Sequence, residues 1–224
     1  MPPIKITYYS DLLCVWAWIN QRRLDQLVTD FGDRIEIEPH FCSVFPDAWG
    51  KIEGGKGFAG FNAHLREVAA QFPHLALYPG LWLDVRPRSS SGAHLFVKAI
   101  ELIEAEDGEA LAWADRASTK AAWALRCGFF ERGLDISSFE VQCAIAGELG
   151  LDRARIEEKI ASSQAMTALM RDYKSADEQG IKGSPTLVMN EGRQRLFGNV
   201  GYRLIEANVQ ELLRNPPADQ ASWC

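Results

Sequence analysis

The residue best placed to do chemistry in this chain is Cys14, which stands where an apolar strand turns into a helix. A thiol at a helix N-terminus faces free backbone N–H groups and the positive end of the helix dipole, and both favour the thiolate. We therefore expect Cys14 to be an ionised nucleophile. Ala17 stands three residues further on, where a second sulfur would resolve a mixed disulfide. Cys14 can therefore still attack a disulfide, but no cysteine at position 17 is present to resolve the mixed disulfide that forms.

A second feature that bears on chemistry is the Ser184-Pro185 pair, which precedes a hydrophobic strand. An Xaa-Pro bond adopts cis at a cost of only ~0.5 to 1 kcal/mol, against ~3 kcal/mol for other residues. In cis it would turn the Ser184 backbone towards an extended peptide or glutathione, for β-like pairing. The alternative is a trans proline that begins an edge strand. The motif at Cys14 favours the cis interpretation.

The elements around these residues begin as strand, helix and strand. An apolar strand over about residues 4–9 leads into a helix over 14–30, and residues 34–41 alternate with period two, as a second strand does. This β-α-β unit implies a parallel pair with a right-handed crossover. Residues 185–197 then show the pattern of a β-hairpin, and an amphipathic helix follows.

A block of helical periodicity lies between these two parts. Residues 111–129 are predicted to form one alanine-rich helix, and Ser137 with Glu140 has the form of a capping box that opens the next. The predicted fold class is therefore α/β, a thioredoxin fold (β-α-β … β-β-α) interrupted by a large all-helical insertion. The predicted domains are a discontinuous thioredoxin-like domain over 1–43 and 174–215, an inserted helical domain over 44–173, and a tail over 216–224.

Composition narrows the classes of function. The chain has 224 residues, 47% of them hydrophobic, which is enough to bury a sizeable core. Its net charge of −6 disfavours nucleic acid and anionic membranes, because both bind clustered positive charge. The start of the chain lacks the pattern of a secretory signal, and no stretch approaches the ~20 apolar residues that span a membrane.

The cysteines indicate a reducing compartment. The sequence contains five cysteines, an odd number, and no two of them are spaced as in a Cys-x-x-Cys pair. They therefore fit neither a disulfide framework nor a zinc site. We therefore expect a cytoplasmic location and no metal. Apart from Cys14, three cysteines are interpreted as structural: Cys42, Cys127 and Cys143. Cys224 could pair within or between chains, but an idle terminal thiol is the favoured interpretation.

With this order of elements, the chain resembles the DsbA-like family of the thioredoxin superfamily, which is related to hydroxychromene carboxylate isomerases, kappa-class glutathione transferases and FrnE-like proteins. The resemblance spans nearly the whole chain. It rests on Tyr9-Ser10-Asp11 running into Cys14-Val15-Trp16-Ala17, on Gly183-Ser184-Pro185-Thr186, and on the segment 130–151 (FERGLDISSFEVQCAIAGELGL).

The resemblance implies roles for individual residues. Cys14 matches the attacking cysteine and Pro185 the cis-proline, whereas Ala17 replaces the resolving cysteine. Trp16, Ser184 and Asn199 are candidates for substrate binding. Trp16 would stack on a substrate or simply pack. Asn199 stands where glutathione-using relatives often place an acidic residue that holds the amino end of the tripeptide.

Three functions follow as hypotheses. The first is a DsbA-like monothiol oxidoreductase that attacks a disulfide or a glutathione mixed disulfide through Cys14 and is released by an external thiol. The second is a glutathione-dependent isomerase or transferase acting on a small organic substrate. The third is a non-catalytic binding protein on the same scaffold. We expect no tightly bound cofactor, with glutathione as a candidate co-substrate and a small thiol or disulfide-bearing molecule as the partner. A homodimer is compatible with the sequence.

Overall fold

The computed structural model describes residues 2–108 and 111–214. Its centre is a four-stranded sheet in the order β2-β1-β3-β4. β1 and β2 are parallel, whereas β3 is antiparallel to both β1 and β4. The strands are β1 (Ile4–Ser10), β2 (Ile35–Phe41), β3 (Thr186–Met189) and β4 (Gln194–Phe197).

Helix α1 links the parallel strands and α9 follows the hairpin, so the predicted β-α-β and β-β-α units are confirmed. Seven helices lie between β2 and β3 in the described part of the chain. The helices are α1 (Val15–Phe31), α2 (Ala48–Glu53), α3 (Gly57–Ala70), α4 (Ser91–Asp107), α5 (Ala117–Phe130), α6 (Phe139–Glu148), α7 (Arg153–Ala161), α8 (Gln164–Glu178) and α9 (Tyr202–Arg214).

Two local predictions about the insertion are wrong. Helix α5 begins at Ala117 rather than at residue 111, because Trp113 lies in a turn and packs edge-on against Tyr8, with ring centroids 6.3 Å apart. The capping box at α6 is also absent. The N–H and hydroxyl of Ser137 both donate to the Asp135 carboxylate, at 2.9 and 2.6 Å, so this hydroxyl caps a turn before the helix.

The largest hydrophobic cluster joins the start of α1 to the insertion. Leu12, Leu13, Cys14 and Trp18 pack in it together with side chains of α4 and α5. Trp18, for example, stacks on Phe130 with ring centroids 4.8 Å apart. The insertion therefore forms the packing surface against which the beginning of α1 is held.

A second cluster lies between the sheet, α1 and α9. Helix α8 runs through residue 173, where the predicted domain boundary lies. The predicted tail and Cys224 lie outside the described residues. Within the described residues, no helix is both long and apolar enough to cross a membrane.

Candidate active site

Cys14 is the N-cap residue of α1, and its extended backbone (φ −85°, ψ 115°) turns the chain from β1 into the helix. Its N–H donates to the Asp11 carbonyl over 3.2 Å. Its Sγ donates to the Ser184 carbonyl oxygen over 3.1 Å. Only 6% of Cys14 is exposed to solvent. The structure thus brings together two of the predicted site residues, which are 170 positions apart in the chain.

The surroundings of Cys14 disfavour its thiolate. Burial raises the pKa of the Cys14 thiol, and the nearby Asp11 carboxylate adds to this rise. The Ser184 hydroxyl and the N–H groups of Ala17 and Trp16 lower that pKa but do not reverse the shift. Burial in this conformation therefore opposes the ionisation of Cys14 that the helix terminus favours, because loss of hydration outweighs the backbone amides.

The loop before β3 is fixed on both sides of Pro185. The Ser184–Pro185 peptide bond is cis. The Ser184 hydroxyl accepts a hydrogen bond from the Asp11 N–H at 2.9 Å, and the Pro185 carbonyl accepts one from the Gly198 N–H at 2.9 Å. The first bond holds the loop to the end of β1 and the second to the residue after β4. The Ser184 carbonyl is thereby positioned over Cys14.

The other two predicted site residues differ in their surroundings. Trp16 is half-buried and packs against the largest hydrophobic cluster. The Asn199 side-chain oxygen accepts a hydrogen bond from the Arg23 guanidinium at 2.6 Å. Because this places a positive charge beside Asn199, the position suits an anionic group of a ligand better than an ammonium. The substrate-binding roles of both residues stay predictions.

Asp11 organises the site in a way that the sequence did not reveal. Its carboxylate is fully buried and accepts four hydrogen bonds. The donors are the N–H groups of Leu13 (2.9 Å), Val44 (3.1 Å) and Phe45 (3.0 Å) and the hydroxyl of Ser90 (2.8 Å). One carboxylate therefore ties the Cys14 turn to the loop after β2 and to the beginning of α4.

A buried histidine extends this connection. His94 Nε2 accepts a hydrogen bond from the Leu12 N–H at 3.1 Å, which requires the ring proton to be on Nδ1. Nδ1 then donates to the Tyr173 hydroxyl at 2.9 Å, and that hydroxyl donates to Ser91 at 3.2 Å. Burial lowers the pKa of His94 to about 4. His94 is therefore a neutral positioning residue with both ring nitrogens occupied.

Sequence signals for these two residues were present but weak. Asp11 lies between the strand and Cys14, and a run of serines, Ser89-Ser90-Ser91, precedes the helix that carries His94. Neither pattern says which distant backbone groups the side chains reach.

The Cys14 Sγ donates its hydrogen bond to Ser184 and not to another described cysteine. Cys42 and Cys143 are buried and Cys127 is partly exposed, all as free thiols. Burial raises the pKa of the Cys127 thiol to about 12 and also raises that of Cys42. Within the described residues, no cluster of three or more His, Cys, Asp or Glu side chains is arranged to hold a metal ion.

The four-stranded sheet, the cysteine at the first helix and the adjacent cis-proline loop define a thioredoxin-fold protein. The family model described as DSBA-like thioredoxin domain matches residues 5–210. The chain therefore belongs to that family.

Solved structures share this fold at low sequence identity. The cytosolic disulfide reductase DsbM from Pseudomonas aeruginosa superposes with a TM-score of 0.69 at 16% identity, covering 95% of this chain and 100% of that one. The structure of DsbM with GSH superposes with a TM-score of 0.68 at 18% identity, covering 94% of this chain and 100% of that one. A 2-hydroxychromene-2-carboxylate isomerase superposes with a TM-score of 0.65 at 17% identity, covering 95% of this chain and 97% of that one. The fold class is confirmed, and the neighbours include both an oxidoreductase and an isomerase.

Proposed function

We propose that this protein is a thiol oxidoreductase whose single active-site nucleophile is Cys14 and whose substrates are disulfides, glutathione mixed disulfides above all. The observation that carries the proposal is the position of the Cys14 sulfur, 3.1 Å from the Ser184 carbonyl at the N-terminus of α1. A substrate chain lying along Ser184 would present its sulfur to Cys14 by β-like pairing.

The reaction takes two exchange steps. The Cys14 thiolate attacks the glutathione sulfur of a mixed disulfide R–S–S–G, which forms Cys14–S–S–G and releases R–S⁻. A free glutathione thiolate then attacks that sulfur of glutathione, which restores the Cys14 thiolate and releases oxidised glutathione. An external thiol is needed because Ala17 occupies the position of a resolving cysteine. The Cys14 sulfur must be uncovered and deprotonated before the first step, since the resting structure buries it as a thiol.

A neighbouring cavity supports glutathione as the co-substrate. It has a volume of about 260 Å³ and includes Lys51, Lys182 and Gly183, the residue before Ser184. Glutathione carries two carboxylates, and the two ammonium groups beside the cis-proline loop outnumber the one carboxylate of the lining, Asp177, so the cavity suits such an anion. The structural neighbour DsbM has been solved with GSH, which is consistent with this proposal.

The test is reduction of a glutathionylated peptide by excess glutathione, followed together with intact mass. We expect wild type to form a glutathione adduct confined to Cys14, and Cys14→Ala to lose at least 100-fold in the enzyme-dependent rate. Cys143→Ala is the matched control, because this cysteine is also buried but lies on α6, and it should retain the wild-type rate. An unchanged rate in Cys14→Ala would refute the proposal.

A glutathione-dependent isomerase or transferase is the second candidate, favoured by Ala17, since such reactions need no resolving cysteine. It predicts that Cys14→Ser keeps glutathione-dependent turnover of an aromatic or quinone-like electrophile.

A non-catalytic binding protein is the third candidate, favoured by the burial of Cys14. It predicts no adduct at Cys14 and no turnover in either assay.

A further inference from the structure

A second cavity lies between the sheet and helices α1, α4 and α5, and is distinct from the Cys14 site. Its volume is ≈ 20 Å³, enough for one water-sized body. We call it the Arg126 cavity. Its lining includes Tyr8, Glu101, Trp113, Thr119 and Arg126.

Arg126 brings an uncompensated charge to this cavity. Its side chain is buried, with 3% of the residue exposed. One Nη2 hydrogen bond reaches the Ser10 hydroxyl at 2.8 Å, whereas Nε is buried and has no partner. Among the ion pairs formed by residues 2–108 and 111–214, none involves Arg126. A buried cation without a counter-charge is costly, so such sites recruit one.

Two further polar atoms of the lining are buried without partners. They are the Trp113 indole nitrogen and the Thr119 hydroxyl. Arg126 Nε and Trp113 Nε1 can only donate, and the Thr119 hydroxyl can donate. These three groups therefore lack an acceptor.

The nearby carboxylates are committed elsewhere. Glu101 also lines the cavity, but its carboxylate is paired with Lys98. Asp11 accepts its four hydrogen bonds from Leu13, Val44, Phe45 and Ser90, none of them an arginine. Neither group supplies the missing acceptor for Arg126.

We propose that the Arg126 cavity is an internal site for one small monovalent anion of the size of chloride. Such an ion neutralises the guanidinium and accepts hydrogen bonds from the three unpartnered groups, Arg126 Nε, Trp113 Nε1 and the Thr119 hydroxyl. A water molecule would leave the charge uncompensated, and sulfate or phosphate exceeds the available space. By bridging β1 to α5, the ion would stabilise the strand that leads to Cys14.

The direct test replaces chloride by bromide in crystals of the full chain and records anomalous scattering. We expect a bromide peak between the Arg126 guanidinium and the Trp113 indole. Water density or an empty cavity in the presence of bromide would overturn the proposal.

In solution, thermal unfolding is followed while sodium chloride replaces sodium gluconate at constant ionic strength. Tm should rise by about 3–5 °C for each tenfold increase in chloride above its dissociation constant. Arg126→Met should abolish this rise, whereas Arg132→Met, which removes an exposed arginine, should keep it. Should Arg126→Met fail to fold, Trp113→Phe keeps a ring but loses the N–H, and is expected to raise the half-saturating chloride concentration at least fivefold. A chloride response that is absent in wild type, or unchanged in these cavity variants, refutes the site.

Discussion

Replacing Asp11 by asparagine should both destabilise the fold and make Cys14 more reactive. The substitution keeps the shape of the side chain but turns one acceptor oxygen into a donor. With the remaining oxygen facing Val44, Phe45 and Ser90, the new NH₂ group meets the Leu13 N–H, which lies 2.9 Å from the carboxylate in wild type. A buried donor left without an acceptor costs about 1–3 kcal/mol.

We therefore expect Asp11→Asn to lower the free energy of unfolding by about 2 kcal/mol, on the basis of that one lost bond. For a chain of this length, the loss corresponds to a fall in Tm of about 4–8 °C. Because the Asp11 charge raises the pKa of the Cys14 thiol, its removal should also lower that pKa and speed alkylation of Cys14 at fixed pH.

The assays are urea unfolding and iodoacetamide labelling resolved by peptide mass. Cys143, which is buried on α6, serves as an internal reporter of global opening. Because a loss of about 2 kcal/mol also speeds labelling through global opening, the rate at Cys14 is compared with that at Cys143 and should rise more. Exposed Asp33 gives the control variant Asp33→Asn, expected within about 0.5 kcal/mol of wild type. A stability change below about 0.5 kcal/mol in Asp11→Asn, or slower labelling of Cys14, would refute the reasoning.

Three more predictions follow from the same structure. Burial lowers the pKa of His94 from 6.5 to about 4, so the unfolded chain takes up a proton first as pH falls. Between these two pH values the free energy of unfolding of wild type should therefore fall by up to about 3 kcal/mol relative to that of His94→Gln, as measured by urea unfolding. Equal pH profiles would contradict a neutral His94. Because burial raises the pKa of Cys14, its alkylation rate should still be rising at pH 9, and a plateau near neutral pH would show that the resting sulfur is ionised after all. Gly133 has φ +64°, and a Cβ there would lie 2.5 Å from the Tyr78 ring, so Gly133→Ala should lower the free energy of unfolding by about 1–3 kcal/mol. Gly147 has open space around it, so Gly147→Ala should raise Tm slightly. Similar effects of the two substitutions would contradict the packing.

The order of elements was predictable because its signals are local. The alternation of residues 35–41 and the apolar run of β1 mark two strands by period, and the helix between them makes the pair parallel. The distinctive sequences at Cys14 and at Ser184-Pro185 also indicated one site. Trp113 shows the limit of such signals, since its alanine-rich surroundings predict a helix and its packing on Tyr8 keeps it in a turn.

The electrostatic state of the site could not be predicted in the same way. The helix terminus that favours a thiolate is visible in the sequence, but the burial that opposes it depends on which distant helices cover Cys14. Asp11 likewise is one acidic residue among many until Val44, Phe45 and Ser90 are known to surround it. These are long-range contacts, for which a single sequence carries no local pattern.

Because the largest hydrophobic cluster joins the start of α1 to the inserted helices, the insertion affects how readily the Cys14 thiol ionises. Since Leu12, Leu13 and Cys14 pack on the inserted helices, the hydration of the sulfur is set by residues that are remote from it in the chain. A substitution on α4 or α5 that loosens this packing would admit water and ease ionisation of Cys14, while the Cys14-Val15-Trp16-Ala17 motif stayed the same. The helical block is thus a place where thiol acidity can be adjusted independently of the residues that do the chemistry.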